Sequence, residues 1–279
     1  MSMRMPAYFI SHGIGPWSYM RGPLREASAL LEQHLSAVPP ELPAVPRAVA
    51  VVSGHWEEQE ITVATSPRPG MVYDYRGFPE YTYAIDYPAP GSPEVARRVI
   101  ELLRDRGWNA RSDAQRGLDV ATFGILKPMY PNAEIPVVPI SIKASYDARE
   151  HFEIGRALAA LRSEGVLLIG SGFTFHNLGL RGSASTAPSL SFDSWLRRTL
   201  LDADGDERGR ALAGWKQAPA ASLAHPSEEH LLPLMVIAGA AGDDPGMVAY
   251  GELLMGTTAV SSFRFAPLRA PSNFDRLAA

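Results

Sequence analysis

Four short apolar runs constrain this chain more than any other feature. Residues 7–11 (AYFIS), 48–53 (AVAVVS), 135–142 (IPVVPISI) and 166–171 (VLLIGS) are rich in Val and Ile and lie close to Pro or Gly. None alternates apolar with polar residues, so none suits a strand with one wet face. Continuous apolar runs of this length fit strands buried on both faces, in a sheet covered by helices. Helical periodicity fills the gaps. Ser92 caps one helix with Pro93 at its first position, and Val95, Val99, Leu102 and Leu103 follow at helical spacing until Gly107. Asp147 caps another, which carries Phe152, Ile154, Leu158 and Leu161 inward before Gly165. A third helix is predicted over residues 191–201 and a fourth over 227–241, with Ser227 as its cap. This alternation predicts one α/β domain over residues 1–279: a central, mostly parallel sheet flanked by helices.

Composition narrows the function classes. Hydrophobic residues make up 46% and charged residues 20%, which supports a real core and excludes disorder as the main state. A net charge of −4 leaves no electrostatic footprint for nucleic acid or an anionic membrane. Without cysteine there is no disulfide, zinc finger, iron–sulfur cluster or thiol nucleophile, so any metal must be held by His, Asp, Glu or backbone oxygen. No run approaches the roughly 18 apolar residues of a membrane span, and His12 interrupts the N-terminal region too early for a signal-peptide core. A soluble, cytoplasmic protein is expected. Two regions break the strand–helix rhythm. Residues 66–92 form a long segment rich in proline, glycine and aromatic residues, too long for a passive connector, and residues 178–188 read as a mobile surface loop.

The histidines fall in a pattern. His12 follows Ile10-Ser11, His55 follows Val51-Val52-Ser53-Gly54, and His176 follows the run at 166–171 by a short segment. If those strands are parallel, all three lie at the carboxyl edge of the sheet, where open α/β sheets bind ligands. Any single histidine is more often a satisfied or surface residue, but three at equivalent strand ends point to a shared site. Imidazole there can ligate a metal or move a proton. His225 and His230 sit in AHPSEEHLLPL, where His230 could complete a metal site or mark an exposed helix start, and Glu229 beside it could support it. His34 and His151 are expected to be solvated. No phosphate loop, nucleophile elbow or His-Glu-x-x-His is present.

Ile10-Ser11-His12-Gly13 and Ser53-Gly54-His55-Trp56 resemble the two N-terminal metal motifs of the class III extradiol ring-cleaving dioxygenases, in the DOPA-dioxygenase-like branch. Protocatechuate 4,5-dioxygenase is a more distant relative. Tyr75-Arg76-Gly77-Phe78-Pro79, Met129-Tyr130-Pro131, His176-Asn177-Leu178 and His225-Pro226 through His230 to Leu234 follow in the family's order over nearly the whole chain. The resemblance implies a mononuclear non-haem iron(II), with zinc in some purified members, held by His12, His55 and His230. It implies His176 as the acid–base residue or a further ligand, and a catechol and O2 as substrates. The aromatic segment, with Tyr75 and Phe78, and Tyr130 would line the pocket. One departure stands out. Where the family reads Leu-Asp-His-Gly-Thr, this chain reads Leu118-Asp119-Val120-Ala121-Thr122, so Val120 replaces a second active-site histidine. Either another residue such as His225 supplies the missing donor, or the chemistry is altered. Two rival readings use the same scaffold: a zinc-dependent hydrolase with His176 or Glu229 as base, and a non-catalytic binding protein. Oligomeric state is not legible, because no helical face carries a clear exposed apolar stripe.

Overall fold

The computed structural model describes residues 4–267. One eight-stranded sheet organises it: β1 (Ala7–Ser11), β2 (Ala48–Glu58), β3 (Thr62–Ala64), β4 (Arg111–Asp113), β5 (Val137–Lys143), β6 (Val166–Gly172), β7 (Gly246–Leu254) and β8 (Thr258–Phe265), in the spatial order β4-β3-β5-β2-β6-β1-β8-β7. The four apolar runs form its parallel centre, β5-β2-β6-β1, with Ala50 opposite Leu168 and Phe9 opposite Gly170. Antiparallel strands flank that centre. β3 meets β5 at Val63 and Ile140, and the β7–β8 hairpin joins β1 through β8.

Among the described residues nine α-helices accompany the sheet: α1 (Pro23–Ala27), α2 (Ala29–Glu41), α3 (Pro93–Asp105), α4 (Val120–Met129), α5 (Ala148–Leu158), α6 (Ser183–Leu201), α7 (Gly205–Ala213), α8 (Ala221–Ala224) and α9 (Leu232–Ala241). Successive strand residues point to opposite faces. Ala7, Phe9, Ala50 and Val52 therefore pack with α3, α5, α6 and α9 on one side, while Tyr8, Ile10, Val49 and Val51 pack with α2 and α4 on the other. Both faces are dry, which is why the central strands lack alternation. The closest helix packing is between α5 and α9: a Cβ on Gly155 would overlap the carbonyl oxygen of Val236, so only glycine permits that approach. Two of the three predicted caps form. Ser92 accepts from the Val95 amide at 3.3 Å and Asp147 from the Glu150 amide at 2.8 Å. No helix among the described residues is long and apolar enough to cross a membrane.

Several expectations need correction. α6 begins at Ser183, so the second half of the supposed loop at 178–188 is helical. α9 begins at Leu232 instead of residue 227, and Ser227 to Leu231 form turns ahead of it. β2 runs on to Glu58, which puts His55 within the strand. His151 is not solvated. It is fully buried, its Nε2 accepts the Lys143 amide at 3.0 Å, and its Nδ1–H donates to the Asp147 carbonyl at 2.7 Å. Nor is His34 free in water: its ring stacks on Tyr250 with centroids 5.5 Å apart, and burial lowers its pKa to about 4.

Candidate metal centre

The site is built by continuing the parallel strands past their carboxyl ends. His12 extends β1 by one residue, its amide donating to the Gly172 carbonyl at 3.0 Å. Its side chain is 4% exposed, and its Nδ1–H donates to the Gly13 carbonyl at 2.9 Å. His55 sits where the β2–β5 ladder shifts register between Val52 and Glu57, an irregularity that re-aims side chains. Its Nδ1–H donates to Asp74 Oδ2 at 2.6 Å. His230 arrives from the turn before α9, and its carbonyl accepts the Phe173 amide at 2.9 Å. A Cβ on Gly172 would overlap that same carbonyl, so the strand end is shaped to admit the His230 backbone. Its Nδ1–H donates to Glu229 Oε1 at 3.0 Å.

Each of the three rings thus has an oxygen acceptor on Nδ1, which assigns the proton to Nδ1 and leaves the Nε2 lone pair free. Those lone pairs converge. Nε2 of His230 lies 3.2 Å from Nε2 of His55, Nε2 of His12 is buried without any partner, and the donor atoms of all three lie within 4.8 Å of one another. Two imidazole lone pairs facing at that distance repel unless a cation sits between them. Burial, then the neighbouring imidazoles, drives the pKa of His12 well below its ordinary value, and burial lowers that of His230 to about 3. For His55 burial also opposes charge, but the hydrogen bond and charge of Asp74 outweigh it, and the pKa ends up raised. Asp74 is lowered in return: burial opposes its ionisation and the bond to His55 overcomes that. Three converging neutral or readily deprotonated imidazoles match what a divalent transition metal requires.

His176 stands beside this cluster. Its ring stacks on that of His230, with centroids 3.5 Å apart and planes 19° from parallel, and its Nδ1 lies 3.3 Å from Glu229 Oε1. Phe173 packs edge-on to His12 at 4.7 Å and parallel to His176 at 5.9 Å, forming an apolar wall between them.

Residues 6–265 match the family model described as the catalytic LigB subunit of aromatic ring-opening dioxygenase. The chain belongs to that family. It is 36% identical to the 4,5-DOPA dioxygenase extradiol of Escherichia coli K12 over 94% of each chain. It is 39% identical to that of Beta vulgaris, over 74% of this chain and 82% of the relative. A crystal structure of an uncharacterized E. coli K12 protein superposes with a TM-score of 0.76 at 31% identity, covering 94% of this chain and all of that one. An oxygenase of the extradiol ring-opening type is therefore the class of this protein, and the hydrolase and binding-protein readings are not favoured.

Within this dioxygenase the remaining candidates lie at different depths. Val120 is 2% exposed at the start of α4, and its amide donates to Asp74 Oδ1 at 3.2 Å. Asp119, the α4 cap, is buried and ties that helix to the strands, accepting from Ser53 Oγ at 2.8 Å and Arg116 Nη2 at 2.7 Å. Tyr75 packs against Phe78, Tyr83 and Phe123, its hydroxyl donating to the Thr82 carbonyl. The Phe78 ring covers Gly15, two residues beyond the His12-Gly13 pair. The structure does not bring two candidates into the cluster. His225 is buried between Phe192 and Trp215, with Nε2 3.1 Å from the Thr174 carbonyl. Tyr130 lies at the far end of α4, roughly 15 Å along the helix from Val120 at 1.5 Å per residue. Asp74 escaped the sequence reading, although it stands between Tyr73 and Tyr75 in the segment already singled out. Its only sequence signal is an acid embedded in an aromatic loop.

Proposed function

We propose that this protein opens the ring of a catechol with O2 at a mononuclear metal held by Nε2 of His12, His55 and His230. The observation that carries the reading is the convergence of those three lone pairs, each with its Nδ1–H already committed to an oxygen. Iron(II) is the expected active metal: when bound it supplies a Lewis acid for the two catechol oxygens and a redox-active centre for O2. Zinc suits the same imidazoles but has no redox chemistry, so it occupies the site without turnover.

The chain's own residues bind, orient and move a proton. Nε2 of His176 has no partner among the described residues, and it takes the proton from a catechol hydroxyl. Phe173 offers an apolar face beside the histidines, and the Tyr75–Phe78 aromatic cluster closes the Gly15 side, which favours a planar ring and excludes water. Val120 can donate no side-chain hydrogen bond, which favours a less polar catechol than a histidine there would accept. The relatives named as 4,5-DOPA dioxygenases support a catechol as the substrate class, with cleavage next to the diol.

The test is oxygen uptake by anaerobically iron(II)-loaded protein across a panel of catechols, with an absorbance scan for the ring-opened product. Uptake with a new chromophore, absent in His12→Ala, is expected. Silence across the panel with iron verified in the protein rejects the proposal.

A further inference from the structure

Glu229 occupies a position that the three-histidine site does not by itself require. Its Oε1 lies 3.0 Å from Nδ1 of His230 and 3.3 Å from Nδ1 of His176, so one carboxylate oxygen faces the back of both rings. The two imidazoles are stacked at 3.5 Å, so neither can swing to another acceptor without displacing the other. The carboxylate is 16% exposed, and its second oxygen is buried without a partner.

We infer that Glu229 is a positioning residue for two histidines at once, fixing Nδ1–H on both His230 and His176. One ionised oxygen has lone pairs enough for two N–H donors, and the nitrogen that donates determines which nitrogen stays free. The bond to His230 turns its Nε2 toward His12 and His55. The bond to His176 leaves its Nε2 unprotonated and able to accept a substrate proton. Metal affinity and the position of the free nitrogen on His176 thus share one anchor. The inference rests on the metal site proposed above, and leucine at this position breaks it in a defined way. Both rings face the same carboxylate oxygen, whose place a glutamine carbonyl could take, whereas leucine keeps the bulk and leaves neither imidazole an acceptor.

The test uses full-length protein with 15N-labelled histidine, zinc-loaded so that it is diamagnetic, and reads tautomers from long-range proton–nitrogen spectra alongside zinc affinity by competition. In the wild type His176 is expected as the Nδ1–H tautomer. In Glu229→Leu its proton is expected to leave Nδ1, and zinc affinity to fall about 10–100-fold, as for other outer-shell partners of ligating histidines. A wild-type His176 in the Nε2–H form overturns the inference without any variant, so a poorly folded Glu229→Leu does not shield it. So does a Glu229→Leu protein whose tautomers are unchanged and whose zinc affinity stays within threefold. A second zinc equivalent that disappears in Glu229→Leu also overturns it, since the carboxylate would then be a ligand. Zinc that binds without shifting His12, His55 or His230 instead rejects the metal site and leaves the Glu229 contacts standing.

Discussion

Replacing Asp74 with asparagine tests the outer layer of the site from the opposite side to Glu229. Asp74 accepts the His55 Nδ1–H at 2.6 Å through one oxygen and the Val120 amide at 3.2 Å through the other. Asparagine keeps one acceptor and turns the other position into a donor, so either His55 or the first amide of α4 faces a competing N–H. Leaving a buried donor unpaired costs about 1–3 kcal/mol. Losing a carboxylate behind a ligating histidine typically costs 10–100-fold in metal affinity, or about 1.4–2.7 kcal/mol at 1.36 kcal/mol per decade. The deficit depends on pH in a definite direction. Asp74 raises the pKa of His55 in the metal-free protein, so below that pKa the wild type must expel a proton to bind metal. Asparagine removes that competition together with the benefit. The affinity loss is therefore largest at pH 8 and narrows toward pH 6. Competitive zinc titrations of the two proteins at both pH values measure it. An affinity within threefold of wild type at pH 8, or a deficit that grows on acidification, refutes the reasoning.

Val120→His should restore a polar side chain beside the Asp74 contact and raise catechol-dependent oxygen uptake at least about tenfold at unchanged iron content, since a positioned acid–base group is worth about 10²–10⁴; equal rates would show that Val120 does not limit turnover. Gly172→Ala drives a methyl into the His230 carbonyl and should cost about 1–3 kcal/mol in chemical denaturation while abolishing stoichiometric metal binding. Metal-free protein should lose stability as pH falls below about 6.5, because buried His225, with its pKa lowered to about 3, and buried His151, also lowered, stay neutral when folded and become protonated when unfolded. For His225 alone the loss is about 2 kcal/mol at pH 5, at 1.36 kcal/mol per pKa unit. Denaturation of His225→Gln at pH 7.5 and 5 should show a correspondingly flatter dependence, and an unchanged slope would count against the buried neutral ring.

What the sequence disclosed depended on how far away each cause lay. The central strands were legible because burial on both faces is written locally, as runs without polar positions, and the parallel order then placed His12 and His55 on one edge. His230 was legible as a candidate, but the start of its helix was not. All ten residues of α9 are buried, so the helix has no polar face to mark its first turn, and Ser227 imitates a cap while lying in the preceding turn. α6 was cut short for the opposite reason, since Ser183 to Pro188 carry no apolar period. The histidines misread as solvated have partners that local polarity cannot announce: His34 rests on Tyr250, 216 positions away in the chain, and His151 is enclosed by its own cap and the end of β5. Asp74 shares that property, because it acquires its role only when a loop meets a strand end; Glu229 was marked by its place beside His230, but its contact with His176 was not. A metal ligand can be recognised by residue type and strand position, whereas the acceptor that selects its tautomer is chosen by tertiary geometry. The parts of this site that set affinity and proton position are therefore only partly marked in the linear pattern.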